Sequence, residues 1–474
     1  LTENETKKVK EVKMNKNFLK AVGLTVSLAL VISLMSLPAG AAKTGIRVLV
    51  FAQGFAWPEL FGSTGVDETE RLKQFEEKEG VDVRIEWGDE TAIRQKVAAD
   101  FAARTGRYDL VLVGTDGGVQ TYGYGGFLEP LDKYLELYPG GYFDPQDVYP
   151  QFLDANRVEG VLYALPYYSF GAGIMYRKDI FDKYGLSSPK TTDELYQVLE
   201  ALKSGLRGEG ITDVYPVTMR GAPGEEPTLD VAGFVYAWAG YPAWFEGGAM
   251  TPDQIKEKKA MPIFTGDFAP GFGAFVEICQ KYGPPGISTH TWVDMMNIYA
   301  MGKAAILMPS AINAYAALGV TEDEQVKKYT RFAKSPTGSG GKQIQSFWTF
   351  SLGINKDSRH KKEAWKVLTF LMGKESMQAF AERTQWPNVT MKSVLYSDVL
   401  IKRYGLEEIK LNEESILEAE PFYFPYIPEL NEYMDRVGTA TSEAIAKTKS
   451  VEAVLSGLQT WALETMLRAG YYKK

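Results

Sequence analysis

Asp109-Leu-Val-Leu-Val113 is apolar at every interior position, the pattern of a parallel strand covered by helices on both faces. Upstream of it, Ile46-Arg-Val-Leu-Val-Phe51 reads as a buried strand and Asp67 to Glu79 as an amphipathic helix stopped by Gly80. Val81-Asp-Val-Arg-Ile-Glu-Trp87 alternates like a second strand, and Thr91 to Arg104 is a second helix that ends near Gly106. This strand and helix rhythm predicts an α/β sheet with helices on both sides. In such sheets ligands gather outside the carboxyl ends of the strands. Three loops are therefore candidates: Ala52 to Ser63, Gly88 to Thr91, and Gly114 to Gly126, a long glycine-rich loop that carries Asp116, Tyr122 and Tyr124.

Downstream of Asp144-Pro145 the register changes. Val161 to Pro166 and Gly173 to Arg177 read as strands, followed by helices from Asp179, Thr192, Leu229, Phe268, Val293, Ser310, Lys361 and Lys374. Thr191-Thr-Asp-Glu194 has the spacing of a capping box. Ala304 to Met308 and Phe347 to Ile354 are further short strands, and Ser450 to Ala469 carries an apolar stripe of helical period. No internal repeat or Ser/Pro linker separates these parts, which suggests lobes joined by several crossing strands.

The chain has 474 residues, a formal charge of −8, one cysteine and two histidines. That length is enough for two large lobes with real cores. Cys279 has no partner for an internal disulfide, and with His290 and His360 alone there is no Cys/His set for a structural zinc site. Neither G-x-S-x-G, H-E-x-x-H, a phosphate-binding P-loop nor G-x-G-x-x-G occurs, which removes most hydrolase and nucleotide-dependent classes and predicts no metal and no cofactor. An acidic chain also makes a poor nucleic-acid binder.

Met14 to Lys20 sets lysines ahead of the apolar run Ala21 to Leu37, which is followed by Pro38 and Ala39-Gly-Ala-Ala42. This is the pattern of a secretory signal peptide, so residues 1–42 are expected to be a leader, with the true start at Met14 and a mature chain from about Ala42 or Lys43. No cysteine follows the run to take a lipid, and a periplasmic location is the expectation.

Several pieces in fixed order carry a family resemblance: Ile93-Arg-Gln-Lys-Val, Gly106-Arg-Tyr-Asp-Leu-Val-Leu-Val-Gly-Thr115, Gly126-Phe-Leu-Glu-Pro-Leu-Asp132, Val161-Leu-Tyr-Ala-Leu-Pro-Tyr167, Met175-Tyr-Arg-Lys-Asp179, Gly302 to Met308, Trp348 to Asn355 and Ala364 to Leu371. In these the chain resembles extracellular solute-binding proteins of ABC sugar importers. Met219-Arg-Gly-Ala-Pro-Gly224, Gly283-Pro-Pro-Gly286 and the ending from Val437 to Tyr472 look like the branch that binds sorbitol, mannitol and related polyols. The resemblance implies a type II-like periplasmic-binding-protein fold of two α/β lobes, each a sheet flanked by helices, with the ligand cleft between them. Lobe one is expected at 43–170 plus 345–390 and lobe two at 171–344 plus 391–474. It also implies a monomeric, non-enzymatic receptor that takes up a small neutral polyol or sugar and presents it to the transmembrane subunits of an ATP-driven permease. Competing readings are an exported carbohydrate-active enzyme with a carboxylate pair, or the same fold binding a peptide, polyamine or metal chelate.

A polyhydroxylated ligand needs planar side chains for its C–H faces and convergent polar groups for its hydroxyls. The aromatic candidates are Tyr122, Trp238, Trp292 in Thr291-Trp-Val-Asp294, Trp386 in Gln385-Trp-Pro-Asn388, and Trp348, which aligns with an aromatic lining family clefts. Arg220, in a Gly/Pro-rich loop, is the candidate fork for two vicinal hydroxyls. Asp116 and Asp294 are the candidate acceptors, with Asn313 beside them. In the polyol branch a carboxylate commonly follows the Gly-Thr of the third-strand loop and another precedes Met-Tyr-Arg. Here Asp116 is the acid nearest the first position, and Phe170 occupies the second. His290 reads as a capping or surface residue and Cys279 as core.

Overall fold

The computed structural model describes residues 43–51, 57, 60, 69–88, 90–114, 118–138, 141–170, 173–309, 311–344, 348–418 and 424–472, with backbone alone at 90, 91, 170, 311–314 and 348. The expected leader, residues 1–42, therefore lies outside the described residues, as does most of the candidate segment Ala52 to Ser63. Eleven strands are present among the described residues: β1 (Thr44–Phe51), β2 (Val81–Gly88), β3 (Leu110–Gly114), β4 (Arg157–Val158), β5 (Val161–Leu162), β6 (Ala164–Phe170), β7 (Ile174–Arg177), β8 (Tyr215–Thr218), β9 (Ala304–Leu307), β10 (Thr330–Ala333) and β11 (Trp348–Ile354).

The first sheet has the order β2-β1-β3-β11-β6, with β1 parallel to both β2 and β3 and β11 antiparallel to β3 and β6. Val48, Leu49 and Val50 in β1 are almost fully buried, as a strand covered on both faces requires. The helices Glu70–Glu79, Glu90–Ala103 and Lys361–Met372 pack on this sheet.

The quoted motif Gly106-Arg-Tyr-Asp109 has a mechanical role here. The Arg47 amide donates to Asp109 Oδ2 at 2.9 Å and Ser358 Oγ donates to Asp109 Oδ1 at 2.6 Å, so one carboxylate ties β3 to β1 and to the chain leaving β11. Asp100 receives the amides of Arg107 and Tyr108 and the Asn355 amide nitrogen, which closes the turn into β3. Gly106 has φ 59, and a Cβ there would lie 2.2 Å from the Asp357 carbonyl oxygen, so both conformation and space demand glycine.

The second sheet has the order β10-β7-β9-β8, antiparallel except for β8 beside β9. Its central strands β7 and β9 were legible from their apolar runs, but its edge strands β8 and β10 were not expected. Tyr-Pro-Val-Thr contains a proline, which an edge strand tolerates because one side needs no ladder donor. Each edge strand is only four residues long, too short for alternation to register. Helices Glu226–Ala239, Phe268–Tyr282, Leu430–Ile445 and Val451–Arg468 form a packed layer beside this sheet.

Two local expectations need correction. Gly114 to Gly126 is not one long loop: Gly118–Tyr124 is helical, because the segment Gly-Val-Gln-Thr-Tyr buries Val119 and Gln120 beneath it. The capping box at Thr191 is only half formed. Its Oγ1 accepts from the Glu194 amide, but the Glu194 carboxylate receives the Lys190 amide instead of closing back on the cap. Complete boxes occur at Thr251–Gln254 and Thr291–Asp294.

Candidate functional site

The carboxyl ends of β1 and β3 meet the amino-terminal half of β11 in an aromatic floor. Phe350 pairs in register with Gly114 on one side and Tyr168 on the other. Phe51 meets Phe350 edge-on with ring centroids 4.5 Å apart, and Tyr168 lies 5.1 Å from Phe350. Phe380 stacks on Tyr168 at 6.0 Å, and Trp386 approaches Phe380 edge-on at 6.2 Å. Against this floor a cavity of about 140 Å³ is lined by Phe51, Arg94, Tyr122 and Phe350 on one side and by Leu430 and Asn431 on the other.

Elements attached to the second sheet close over the rim. Arg94 Nε stands 3.8 Å from Glu225 Oε1, and Thr121 Oγ1 donates to the Ile427 carbonyl at 3.5 Å. Tyr124 Oη donates to Asp253; that bond, reinforced by partial burial and the carboxylate charge, pushes the phenol up to about 12. Aromatic faces with a few convergent polar groups are what a small polar ligand with C–H surface needs. Among the described residues no cluster of three or more His, Cys, Asp and Glu is placed to hold a metal ion.

Of the residues singled out in the sequence, Tyr122 lines the cavity and packs edge-on against Phe101 at 4.8 Å. Phe170 and Trp348 are cross-strand partners at the ends of β6 and β11, and Asn313 sits in the helix Ala311–Val320. Asp116 lies outside the described residues. Trp386 is half-buried beside Phe380, its amide donating to Thr384 Oγ1 at 3.1 Å. Trp238 stacks on Phe234 at 5.6 Å in the helical layer, and Trp292 packs at the edge of the Met295 and Tyr299 cluster, its amide held by Glu226.

Arg220 and Asp294 are occupied in ways the sequence reading did not anticipate. Arg220 gives Nε to Asp230 Oδ2 at 2.7 Å and Nη2 to Asp230 Oδ1, so the fork expected to grip two vicinal hydroxyls is spent on a carboxylate. Both groups are buried, at 4% and 0% exposure. Burial presses the Asp230 carboxyl upward while the guanidinium opposes it. The pair anchors the Met219–Gly224 loop to the helix Glu226–Ala239. Asp294 Oδ2 accepts from the Thr291 amide at 2.9 Å and from its hydroxyl at 2.8 Å, bonds that hold the exposed carboxylate below its ordinary range. Helix capping accounts for an acid at that position.

His290 is half-buried, and its carbonyl receives the Gly221 and Ala222 amides at 2.9 and 3.0 Å, so it too shapes the Arg220 loop. Cys279 is a core residue with Sγ 3.8 Å from Met219 Sδ, its thiol pushed well up by burial. The cavity residues Arg94, Phe350 and Asn431 were not among the candidates. Arg94 lies in the quoted piece Ile93-Arg-Gln-Lys-Val, where helical period marked the buried Ile93 and Val97 but gave its flanking cation no role; nothing in the local sequence marks Asn431.

Comparison with known proteins extends this geometry. A family model for bacterial extracellular solute-binding proteins matches residues 62–378. A mannitol-binding protein of Pseudomonas aeruginosa is 26% identical over 425 residues, covering 85% of this chain and 91% of that protein. An erythritol/L-threitol-binding protein of Mycolicibacterium smegmatis is 22% identical over 419 residues, covering 83% of this chain and 84% of the relative. Among solved structures, a solute-binding protein of Agrobacterium vitis with bound D-mannitol aligns with TM-score 0.72 at 24% identity, covering 91% of this chain and all (100%) of that one. One from Agrobacterium radiobacter with ribitol aligns with TM-score 0.73 at 20% identity, covering 90% and 99%. These likenesses establish the two-lobed α/β fold.

Proposed function

The chain belongs to the bacterial extracellular solute-binding proteins, and from that premise we propose that it captures a small neutral polyol or sugar and delivers it to the permease of an ABC importer. The observation that carries the polyol assignment is the 26% identity to a mannitol-binding protein along 85% of this chain. The aromatic floor beside the cavity is consistent with it, because ring faces suit the C–H surface of such a ligand and neutral hydroxyls need no net charge opposite them. The protein acts without bond cleavage: ligand contacts to both lobes favour their closed arrangement, and the closed form is what the permease recognises.

In this reading lobe one is 43–170 with 345–390 and lobe two is 171–344 with 391–474. The first sheet falls in the former and the second in the latter, and the crossings near 171, 345 and 391 are the hinges. Tyr122, Phe170, Trp348 and Asp116 serve the ligand from lobe one and Asn313 from lobe two, with Trp386 at the hinge-side wall. Arg220 serves indirectly, by holding its loop. Residues 1–42 direct export to the periplasm, where the mature protein acts as a monomer.

The test is calorimetry and melting of purified mature protein against D-mannitol, ribitol, erythritol, maltose, spermidine and a tripeptide. A polyol or sugar should bind, be recovered unchanged, and at 100 times its Kd add about 2.7 kcal/mol of stability. Binding of spermidine or peptide alone would overturn the ligand class. Shortened products from an oligosaccharide would overturn the non-enzymatic reading.

A further inference from the structure

We propose that a basic groove beside the second sheet, lined by Lys203, Arg207, Lys281 and Lys447, binds a phosphate-bearing anion. The groove lies apart from the aromatic floor, and the proposal does not rest on the polyol reading.

The groove has a volume of about 640 Å³ and forms where three helices end together. Lys203 and Arg207 stand in the last two turns of Thr192–Gly208, Lys281 in the last turn of Phe268–Tyr282, and Lys447 just beyond Leu430–Ile445. Tyr215 and Pro216, which open β8, also line it. The Met219–Gly224 loop leaves the other end of that strand, so the groove and the Arg220 loop occupy opposite ends of the second sheet.

No Asp or Glu lines the groove, although the chain as a whole carries a formal charge of −8. The acids nearest in sequence are engaged elsewhere. Glu209 pairs with Lys183, Asp213 with Lys303 and Glu443 with Lys449, while Glu200 accepts from Tyr282 Oη at 3.1 Å. Of the four cations only Lys281 is paired, with Glu277. Lys203 holds its ammonium 5.3 Å from the centre of the Tyr282 ring, and neither it nor Arg207 nor Lys447 forms an ion pair among the described residues.

Helix capping does not use up this charge. The carboxyl end of a helix carries about −0.5 elementary charge, so three ends bring about −1.5 in all, against the three cations that have no carboxylate partner. The helix ends also have donors already. Gln280 Nε2 donates to the Ala444 carbonyl at 2.7 Å, and the Glu209 and Gly283 amides close on the Gly205 and Cys279 carbonyls at 3.2 Å each. The excess is a positive field in a concave site, which draws anions.

The donor set selects the chemistry. Lysine and arginine heads only donate, so a matching ligand brings acceptors and negative charge. Phosphate oxygens can meet the planar Arg207 fork and the neighbouring ammoniums from several directions at once. A neutral polyol would leave the charge uncompensated, and a polyamine would be repelled. Leu206, Ile211, Ile287 and Ile445 line the same groove, an apolar wall for the carbon part of a phosphate ester. That ester is either free in solution or the headgroup of an anionic lipid.

The test uses the mature protein with two probes: phenyl phosphate by calorimetry, with phenol as its neutral control, and phosphatidylglycerol vesicles by co-sedimentation, with phosphatidylcholine vesicles as theirs. The unaltered protein should bind a phosphate-bearing probe and not its neutral control, and binding should weaken steeply as salt rises towards about 0.15 M. The double variant Arg207→Gln, Lys447→Gln should bind that probe at least roughly tenfold more weakly, while melting without ligand and circular dichroism stay native, since both side chains are exposed. Binding of phenyl phosphate assigns the groove to a free ester, and binding of the vesicles alone assigns it to a lipid headgroup. If neither probe binds the unaltered protein, or if the variant binds within twofold of it, the site is refuted. Failure of every polyol and sugar to bind would overturn the transport ligand and leave this result standing.

Discussion

Replacing Arg220 with Met should destabilise the protein far more than it weakens its grip on ligand. The substitution keeps the aliphatic stem but leaves the Asp230 carboxylate, at 0% exposure, without the guanidinium that now meets both its oxygens. Breaking a buried pair by removing one partner costs about 3–5 kcal/mol. At about 2.1 cal/mol/K per residue over roughly 430 residues from Lys43 onward, cooperative unfolding would convert that cost to a drop in Tm of about 3–5 °C. The penalty should depend on pH with a definite sign. Burial raises the Asp230 carboxyl, and without Arg220 nothing opposes it. A group whose folded pKa lies above its unfolded value of about 3.9 binds its proton in the native state, so stability is fully present below that value and falls as pH rises towards the folded pKa. The variant should therefore melt close to the parent near pH 4 and diverge from it towards pH 7. The double variant Arg220→Met, Asp230→Leu should recover most of the loss, since an apolar pair of similar volume has no charge to strand. Urea melts and calorimetry on the same samples separate the roles. A tenfold loss of affinity with unchanged melting would refute the scaffold assignment and restore Arg220 as a ligand residue.

Tyr124→Phe removes the hydroxyl that reaches Asp253 across the rim; binding should weaken roughly two- to tenfold and the ligand-free radius of gyration should rise, and an unchanged scattering curve would deny the contact a part in closure. Glu129 is buried against Lys133, Lys356 and Lys361, and although burial raises its pKa, those lysines win and hold it below its usual value. Its stabilisation is then present above about pH 4 and lost as pH falls through the lowered folded value, so Glu129→Gln should cost about 1–2 kcal/mol at neutral pH, after allowing for the exposed lysines, and flatten the acid limb of the melting profile. Cys279, with its thiol raised first by burial and then by Asp230, should resist a thiol reagent in the native protein and react fully in urea; fast native labelling would show the core to be open there.

What the sequence disclosed and what it withheld divide along the range of the interactions involved. The strands β1, β2 and β3 and the helices between them were legible because burial on one or both faces writes itself into neighbouring residues, as Val48, Leu49 and Val50 show. The edge strands β8 and β10 escaped because half of each ladder is unmade and four residues give alternation too little length. The candidate site follows the same rule more severely. An arginine in a glycine- and proline-rich loop looks like a ligand fork, yet whether its donors are available depends on Asp230, ten residues on and brought round by a helix turn. An acid after a tryptophan looks like an acceptor, yet Thr291 three residues earlier already claims it, and that capping spacing was readable in principle. Tyr122, Phe350 and Asn431 are 309 positions apart from first to last, and only the folded chain brings them to the wall of one cavity. A ligand site in a discontinuous two-lobed fold is a property of crossings between distant segments. Local pattern can therefore locate the strand ends where ligands collect, but the choice of side chain is made by which distant segments the fold brings to those ends.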